Sequence, residues 1–217
     1  MRPLSTTLLG AGQAVLAAAF AFNAGTSPIS AHENTAVSTW TVNNCQTAYV
    51  AERNAAARYH AYAQKADQED YSGIASLFRT AAAVEEVHAR NQEVLIRKLG
   101  GRPSLEREVP QVQTTRENLR FSAEWAQRDE SNMYAVILEQ ARRQSYQQII
   151  RVDADAQKSA GDLGEMFSAE LQSLDEHKDD SPRSYYVCQV DGHVLMHLHS
   201  EVCKTCFHAR NKFRVVS

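Results

Sequence analysis

The chain has 217 residues, of which 43% are hydrophobic and 23% are charged, a composition typical of one medium globular domain with a small additional module. The net charge of −3 leaves no basic excess, so we expect no nucleic-acid partner. Four cysteines are too few for a disulfide-dense scaffold, but three of them lie within the last thirty residues, which indicates a local metal or redox site.

The first 31 residues have the pattern of an export signal. Arg2 is followed by the apolar, alanine-rich run LLGAGQAVLAAAFAF, and the segment SPISAHE then offers Ala31 as the best candidate cleavage site. The apolar run contains two glycines and a glutamine, and it is short for a membrane-spanning helix. We therefore expect a signal peptide over residues 1–31 and an exported mature chain, periplasmic or otherwise extracytoplasmic. The alternative is a disordered or membrane-anchoring N-terminus.

Four long helices are predicted between residues 41 and 176, because apolar residues recur there at spacings of three and four. The predicted helices cover about residues 42–68, 74–99, 114–143 and 146–174. DYSG interrupts the pattern after the first helix, and GGRP ends the second, before a longer connection that contains two prolines. Four helices with one long middle connection predict an all-α four-helix bundle.

A possible metal site lies on the first two predicted helices. Glu85 and His88 are three residues apart in VEEVHARN, so a helix directs both side chains the same way. Glu52 lies on the apolar stripe of the first helix. A Glu-x-x-His pair alone is common on helix surfaces, but metal sites in bundles recurrently combine single glutamates with Glu-x-x-His pairs. Glu52, Glu85 and His88 therefore predict half of a carboxylate-bridged site.

The composition changes after a polar linker, HKDDSPRS, at residues 177–184. Residues 185–217 form a cysteine- and histidine-rich tail with strand-like ends, YYVC and KFRVV. Its Cys203-x-x-Cys206 pair is preceded by Cys188-x-x-Asp191, a spacing that suits a tetrahedral metal site with one carboxylate ligand. Two alternatives stay open: a Cys203–Cys206 disulfide without metal, and a histidine as fourth ligand, namely His193, His197 or His199.

Several segments resemble the rubrerythrin family. The similarity is strong in AYVAERNAAARYHAYAQKADQEDYSGIASLFRTAAAVEEVHARN, extends to TRENLRFSAEW, SNMY and KFRVV, and covers residues 41–216. The resemblance implies a ferritin-like bundle over residues 41–176 with a di-iron carboxylate site, and a rubredoxin-like iron domain over residues 185–217. It also implies a homodimer that reduces hydrogen peroxide, with electrons passing from the rubredoxin-like iron to the bundle from an unknown donor.

The resemblance carries over unevenly to the bundle ligands. Glu52, Glu85 and His88 fall where the family has ligands, and so does Asp129, in place of a glutamate. Three further family ligand positions hold residues that cannot bind metal: Ala126, Ala160 and Leu163. We therefore expect one bundle ion, iron or else manganese or zinc, rather than two irons. A shift in register would let other carboxylates substitute: Glu124, Glu130, Asp155 or Asp162.

The tail departs from the family at Asp191, which replaces a cysteine. Cys188, Asp191, Cys203 and Cys206 then hold iron or zinc, and an oxygen ligand favours zinc and weakens the case for an electron relay. We expect a metal-binding protein of oxidative-stress defence, with peroxide reduction impaired or altered by the lost ligands. The alternatives are a non-catalytic or structural bundle with a zinc-stabilised tail, and metal storage by the histidine-rich tail.

Overall fold

The computed structural model describes residues 39–217, except for the side chains of residues 129–131. The predicted signal peptide over residues 1–31, with its cleavage site at Ala31, lies outside the described residues. Between residues 39 and 217, no helix combines the length and the apolar character that a membrane span requires.

Five α-helices build the bundle: α1 (Thr39–Gln68), α2 (Ser72–Lys98), α3 (Thr115–Glu124), α4 (Ser131–Arg143) and α5 (Gln147–Gln172). The turn between α1 and α2 places Asp70 at φ 66°, and α2 ends before Gly100 at φ 81°, a backbone angle that favours glycine. The long α2–α3 connection ends at Thr114, whose side chain forms a capping box with Glu117. The predicted four-helix ferritin-like bundle is confirmed, with α3 and α4 together forming its third helix.

The third helix of the bundle is interrupted where the sequence predicted an unbroken helix. Trp125–Glu130 forms a π-helical segment between α3 and α4. A π-turn inserts an extra residue per turn and commonly occurs at functional sites. Gly164 of α5 packs against this segment so closely that an added Cβ would lie 3.2 Å from the Cβ of Ala126. Small residues on both helices therefore permit a close approach between α5 and the π-helix.

The bundle core has an aromatic end and an aliphatic end. Tyr59, Tyr62, Phe78 and Phe167 form the aromatic end, with ring centroids 5.5–6.4 Å apart. Buried aliphatic residues from α1, α2, α4 and α5 form the other end: Ala48, Leu95, Ile96, Ile137, Ala141 and Ile149. Buried polar residues of α1, α2 and α5 lie between the two ends, at the level of the predicted metal site.

The tail folds into a three-stranded antiparallel sheet of β1 (Tyr185–Cys188), β2 (Val194–Leu195) and β3 (Phe213–Val216) in the order β2-β1-β3. Tyr186 pairs with Leu195 on one side and with Val215 on the other. Buried Tyr185 and Val187 join the apolar core of the bundle, so the sheet is docked on the helices. This docking positions the cysteine-containing turns beside α2.

Candidate metal centres

The first candidate centre lies in the bundle core. Glu52 of α1 and Glu85 and His88 of α2 are each at most 2% exposed. His88 Nδ1 lies 3.5 Å from Glu85 Oε2, and the hydroxyl of Tyr134 donates a hydrogen bond to Glu52 Oε1 at 2.8 Å. The structure thus buries the three residues of the predicted half-site, with a tyrosine hydroxyl that orients one carboxylate.

Two atoms of this centre suit a cation. Glu85 Oε2 and His88 Nδ1 are buried and have no hydrogen-bond partner among the described residues. Buried polar atoms without partners are costly, and a metal ion would satisfy both. Carboxylate oxygen and imidazole nitrogen suit iron, manganese or zinc. However, the bundle residues with described side chains do not bring three such donor atoms within 4.8 Å of one another, so this ligand set is partial.

The three positions where the resemblance implies further ligands are filled by apolar packing. Ala126 faces Gly164, Ala160 packs with Tyr134, and Leu163 joins the larger apolar core. Each of the three is 1% exposed, which leaves no space for a water-filled cavity at these side chains. The side chains of Asp129 and Glu130 lie outside the part of the chain that the structure describes.

Two of the carboxylates considered as substitutes point elsewhere. Glu124 is exposed, and Asp162 is partly exposed and pairs with Lys158 at 2.7 Å. Asp155 is half-buried, and burial raises its pKa, with Asp191 adding to the effect. The geometry therefore gives no support to Glu124 or Asp162 as a bundle ligand.

The sequence analysis missed a buried acid, Asp153 of α5. It is 0% exposed, and Gln92 of α2, also 0% exposed, donates a hydrogen bond from Nε2 to Asp153 Oδ1 at 2.5 Å. Burial raises the pKa of Asp153 to about 7, although Gln92 and His88 act to lower it. Burial also raises the pKa of the nearby Cys45 thiol to about 12, with Asp153 and Glu52 adding to the effect. The sequence signal was an aspartate on the apolar stripe of α5, four residues after Ile149.

The second candidate centre lies in the tail. Cys188, Asp191, Cys203 and Cys206 are all buried, and one ligand atom from each lies within 4.8 Å of the others. The Cys203 thiol donates to Asp191 Oδ2 at 3.3 Å, and Cys188 Sγ lies 3.7 Å from Cys206 Sγ. These four residues fit a tetrahedral ion with three sulfur ligands and one oxygen ligand. The three cysteines are free thiols in the structure.

The tail histidines do not join this cluster. His193 Nδ1 lies 3.9 Å from Asp162 of α5, and His197 and His199 pack against each other with ring centroids 5.6 Å apart. Among the described residues, Asp191 rather than a histidine lies beside the three cysteines.

The pKa values of Cys188 and Cys206 and the pKa of Asp191 are shifted in opposite directions. Burial raises the pKa of Cys206 to about 11 and holds the pKa of Cys188 well above its usual range, with Asp191 contributing in both cases. Burial also acts to raise the pKa of Asp191, but hydrogen bonds from Cys188 and from the His193 backbone outweigh it and lower that pKa. A metal entering this centre at neutral pH must therefore displace protons from the thiols.

The two candidate centres meet at His88. Its Nε2 lies 3.2 Å from the backbone oxygen of Asp191, so the proton sits on Nε2 and Nδ1 is left to accept. Asn91 supports the same turn by donating to the Val190 oxygen at 2.8 Å. Gly192, at φ 81°, packs so tightly that an added Cβ would lie 2.4 Å from His88 Nε2. The tail turn and α2 are therefore in direct contact between the centres.

Comparisons with known proteins agree with this architecture. The family model described as Rubrerythrin matches residues 43–158, more than half of the chain. Nigerythrin from Nitratidesulfovibrio vulgaris is 26% identical over 176 residues, which cover 80% of this chain and 85% of the relative. A putative rubrerythrin from Methanocaldococcus jannaschii is 30% identical over 190 residues, which cover 81% and 92%. A solved structure of nigerythrin in a mixed-valent state aligns at a TM-score of 0.71 with 26% identity, covering 81% of this chain and 86% of that one.

We predict that Gly192→Ala disrupts the contact between the tail and α2. The new Cβ clashes with His88 and the residue is strained at positive φ, so the free energy of unfolding falls by about 1–3 kcal/mol. Gly100→Ala is the matched control, because Gly100 has the same φ of 81° but no atom within 4 Å of an added Cβ. Urea unfolding measures both variants, and an equal loss in the two would exclude a specific His88 contact.

We also predict a pH dependence that originates at Asp153 in the metal-free protein. Its folded pKa of about 7 exceeds the ordinary aspartate pKa of 3.8, so the folded state retains a proton in this window and its stability falls as pH rises from about 4 to 7. Asp153→Asn removes this penalty and should stabilise the fold by about 2–4 kcal/mol at pH 8, with little effect at pH 4. Urea unfolding at both pH values tests this, with Asp162→Asn as control. An unchanged pH dependence in Asp153→Asn would refute the assignment.

Proposed function

Because this chain belongs to the rubrerythrin family, we propose that it reduces hydrogen peroxide at a metal held in its bundle, with electrons arriving through its own tail. Reduction of H₂O₂ to two waters consumes two electrons and two protons. The observation that carries this proposal is the 3.2 Å contact between His88 Nε2 and the Asp191 oxygen. It joins a residue of the bundle centre to a residue of the tail centre without an intervening side chain.

Each centre has a separate task in this proposal. Glu52, Glu85 and His88 would hold the bundle ion, and a bound iron supplies the one-electron redox change. Tyr134 holds the Glu52 carboxylate in place, and its hydroxyl is a hydrogen-bond donor within the dry core. The Asp191 carbonyl fixes the His88 tautomer, which directs Nδ1 to the bundle centre. The apolar packing of Ala126, Ala160 and Leu163 excludes water but supplies no ligand, so we expect slower turnover than a complete ligand set would give.

The metal of the tail decides whether this chain is an enzyme. Iron at Cys188, Asp191, Cys203 and Cys206 can relay electrons, whereas zinc has no redox chemistry and would only stabilise the fold. The second candidate function is therefore a non-catalytic bundle with a zinc-stabilised tail. It is favoured by one observation: the tail donors are already gathered within 4.8 Å, and the described bundle donors are not.

Two features of the cellular setting are part of the proposal. The basic start, apolar run and small residue at Ala31 support export to an extracytoplasmic compartment. The family resemblance supports a homodimer. In an oxidising compartment the tail thiols are protected by a bound metal, because metal-bound thiolates are not free to pair as disulfides.

We predict two metal ions per mature chain, measured by elemental analysis of untagged protein. Glu85→Ala loses the bundle ion and Cys203→Ser loses the tail ion, because each removes a ligand from one centre. For turnover, the protein is reduced anaerobically, freed of reductant by gel filtration and mixed with one equivalent of peroxide. Glu85→Ala should slow peroxide consumption at least about tenfold.

The matched control for Glu85 is its neighbour Glu86, whose exposed carboxylate pairs with His60 at 3.1 Å. Glu86→Ala should keep both ions and the wild-type rate. A single zinc ion that is lost only in Cys203→Ser, together with no peroxide consumption by the wild type, would contradict peroxide reduction and establish the non-catalytic function.

A further inference from the structure

A row of buried polar atoms lies along the face of α2 that packs on α5. Glu85, His88 and Gln92 follow one another at spacings of three and four, so they share one stripe of the helix. Glu85 Oε2, His88 Nδ1, Gln92 Oε1 and Asp153 Oδ2 are buried, and none has a hydrogen-bond partner among the described residues. Four such atoms in one region of a close-packed core require an explanation.

The register between α2 and α5 shows where Asp153 lies relative to this row. Phe78 contacts Phe167 at 5.5 Å, and Gln92 contacts Asp153 at 2.5 Å, so the antiparallel helices keep one register between these points. In this register, Ala160 lies level with Glu85, and Asp153 lies level with Gln92. His88 stands one helical turn from Gln92, between the two levels.

Asp153 and Ala160 are seven residues apart on α5 and therefore project from the same face of the helix. Ala160 is the position where the resemblance predicted a family ligand and found none. Asp153 supplies a carboxylate on this face of α5. It lies two helical turns from Ala160, towards the end of the bundle that contains Cys45. The electrostatic influence of His88 on the pKa of Asp153 is consistent with this proximity.

We propose that Asp153 and Gln92 are ligands of the bundle metal, so that the ion lies between His88 and Asp153 rather than at the level of Ala160. This assignment rests on the proposed function only in requiring that the bundle hold a metal. Besides Glu52, Glu85 and His88 of the proposed function, the ion would take a carboxylate oxygen from Asp153 and the amide oxygen of Gln92. An oxygen-rich set with one imidazole suits Mn²⁺ or Fe²⁺.

The donor atoms of Glu85, His88 and Asp153 do not all lie within 4.8 Å of one another in the structure, so side chains must move for this site to form. His88 is fixed by the Asp191 carbonyl, so its Nδ1 defines one corner of the site. Gln92 and Asp153 are tied to each other through one atom each, and their other oxygens, Oε1 and Oδ2, have no partner among the described residues. Rotation of the Gln92 and Asp153 side chains towards His88 would bring the ligand atoms together. Gln92 is one helical turn from His88 on α2, and Asp153 lies level with Gln92 on α5.

The competing explanation is that Asp153 is a protonated acid of the core with no role in metal binding. The two explanations predict opposite results for Asp153→Asn. The asparagine amide can donate to Gln92 Oε1 while it accepts from Gln92 Nε2, so this variant should fold at least as well as the wild type. A loss of metal binding in Asp153→Asn therefore cannot be attributed to unfolding.

The test is a titration of the metal-free full-length mature protein, its tail first filled with one equivalent of Zn²⁺, with Mn²⁺ as the probe. Electron paramagnetic resonance measures the free Mn²⁺. We expect one Mn²⁺ per chain in the wild type, and at least about tenfold weaker binding in Asp153→Asn and in Gln92→Leu. Asp162→Asn is the control on the same helix and should bind as the wild type does.

The possible outcomes separate this inference from the proposed function. Wild-type affinity in Asp153→Asn, with binding lost in Glu85→Ala, would overturn the assignment of Asp153 and leave the proposed function intact. No Mn²⁺ or Fe²⁺ binding by the wild-type bundle would overturn both. The site would be established by two results together. Mn²⁺ binding would be weakened in both Asp153→Asn and Gln92→Leu, and the unfolding free energy of Asp153→Asn would be at or above that of the wild type.

Discussion

The imidazole of His88 is the side chain that connects the two candidate centres. One ring nitrogen is fixed by the Asp191 carbonyl of the tail, and the other lies 3.5 Å from Glu85 in the bundle. Because both nitrogens are buried, the ring cannot turn without losing a contact on one side. The tail turn must therefore come close to α2, which explains why position 192 is a glycine. One side chain therefore contacts both the tail turn and the candidate centre of the bundle.

The apolar packing of Ala126, Ala160 and Leu163 separates an apolar part of the interior from a polar part. At Ala126 and Gly164, small side chains let α5 approach the π-helix closely. In the polar part, the core positions of Gln92 and Asp153 hold buried polar side chains instead of aliphatic ones. A buried carboxylate without a cation lowers the stability of a fold at neutral pH. The proposed ligand role of Asp153 would explain the presence of this carboxylate beside Glu85 and His88.

Local patterns in the sequence predicted a large part of this structure. The spacing of apolar residues predicted the bundle, and Glu52 with Glu85-x-x-His88 pointed to residues that do lie in its core. The two knuckle spacings pointed to Cys188, Asp191, Cys203 and Cys206, which the fold brings together. The π-helix was missed because its residues continue an ordinary helical pattern. Asp153 was missed because the family resemblance implies no ligand at this position. The contact of His88 with Asp191 depends on how the tail docks, which no local pattern reports.

The most direct test of the account is a crystal structure of the metal-loaded protein, with anomalous scattering measured at the iron, manganese and zinc edges. We predict one ion beside His88 Nδ1 and Asp153 and a second ion within the Cys188, Asp191, Cys203 and Cys206 cluster. We also predict that His88 Nε2 stays on the Asp191 carbonyl. Two ions at the level of Ala160, or a bundle that holds none under metal-saturating conditions, would contradict it.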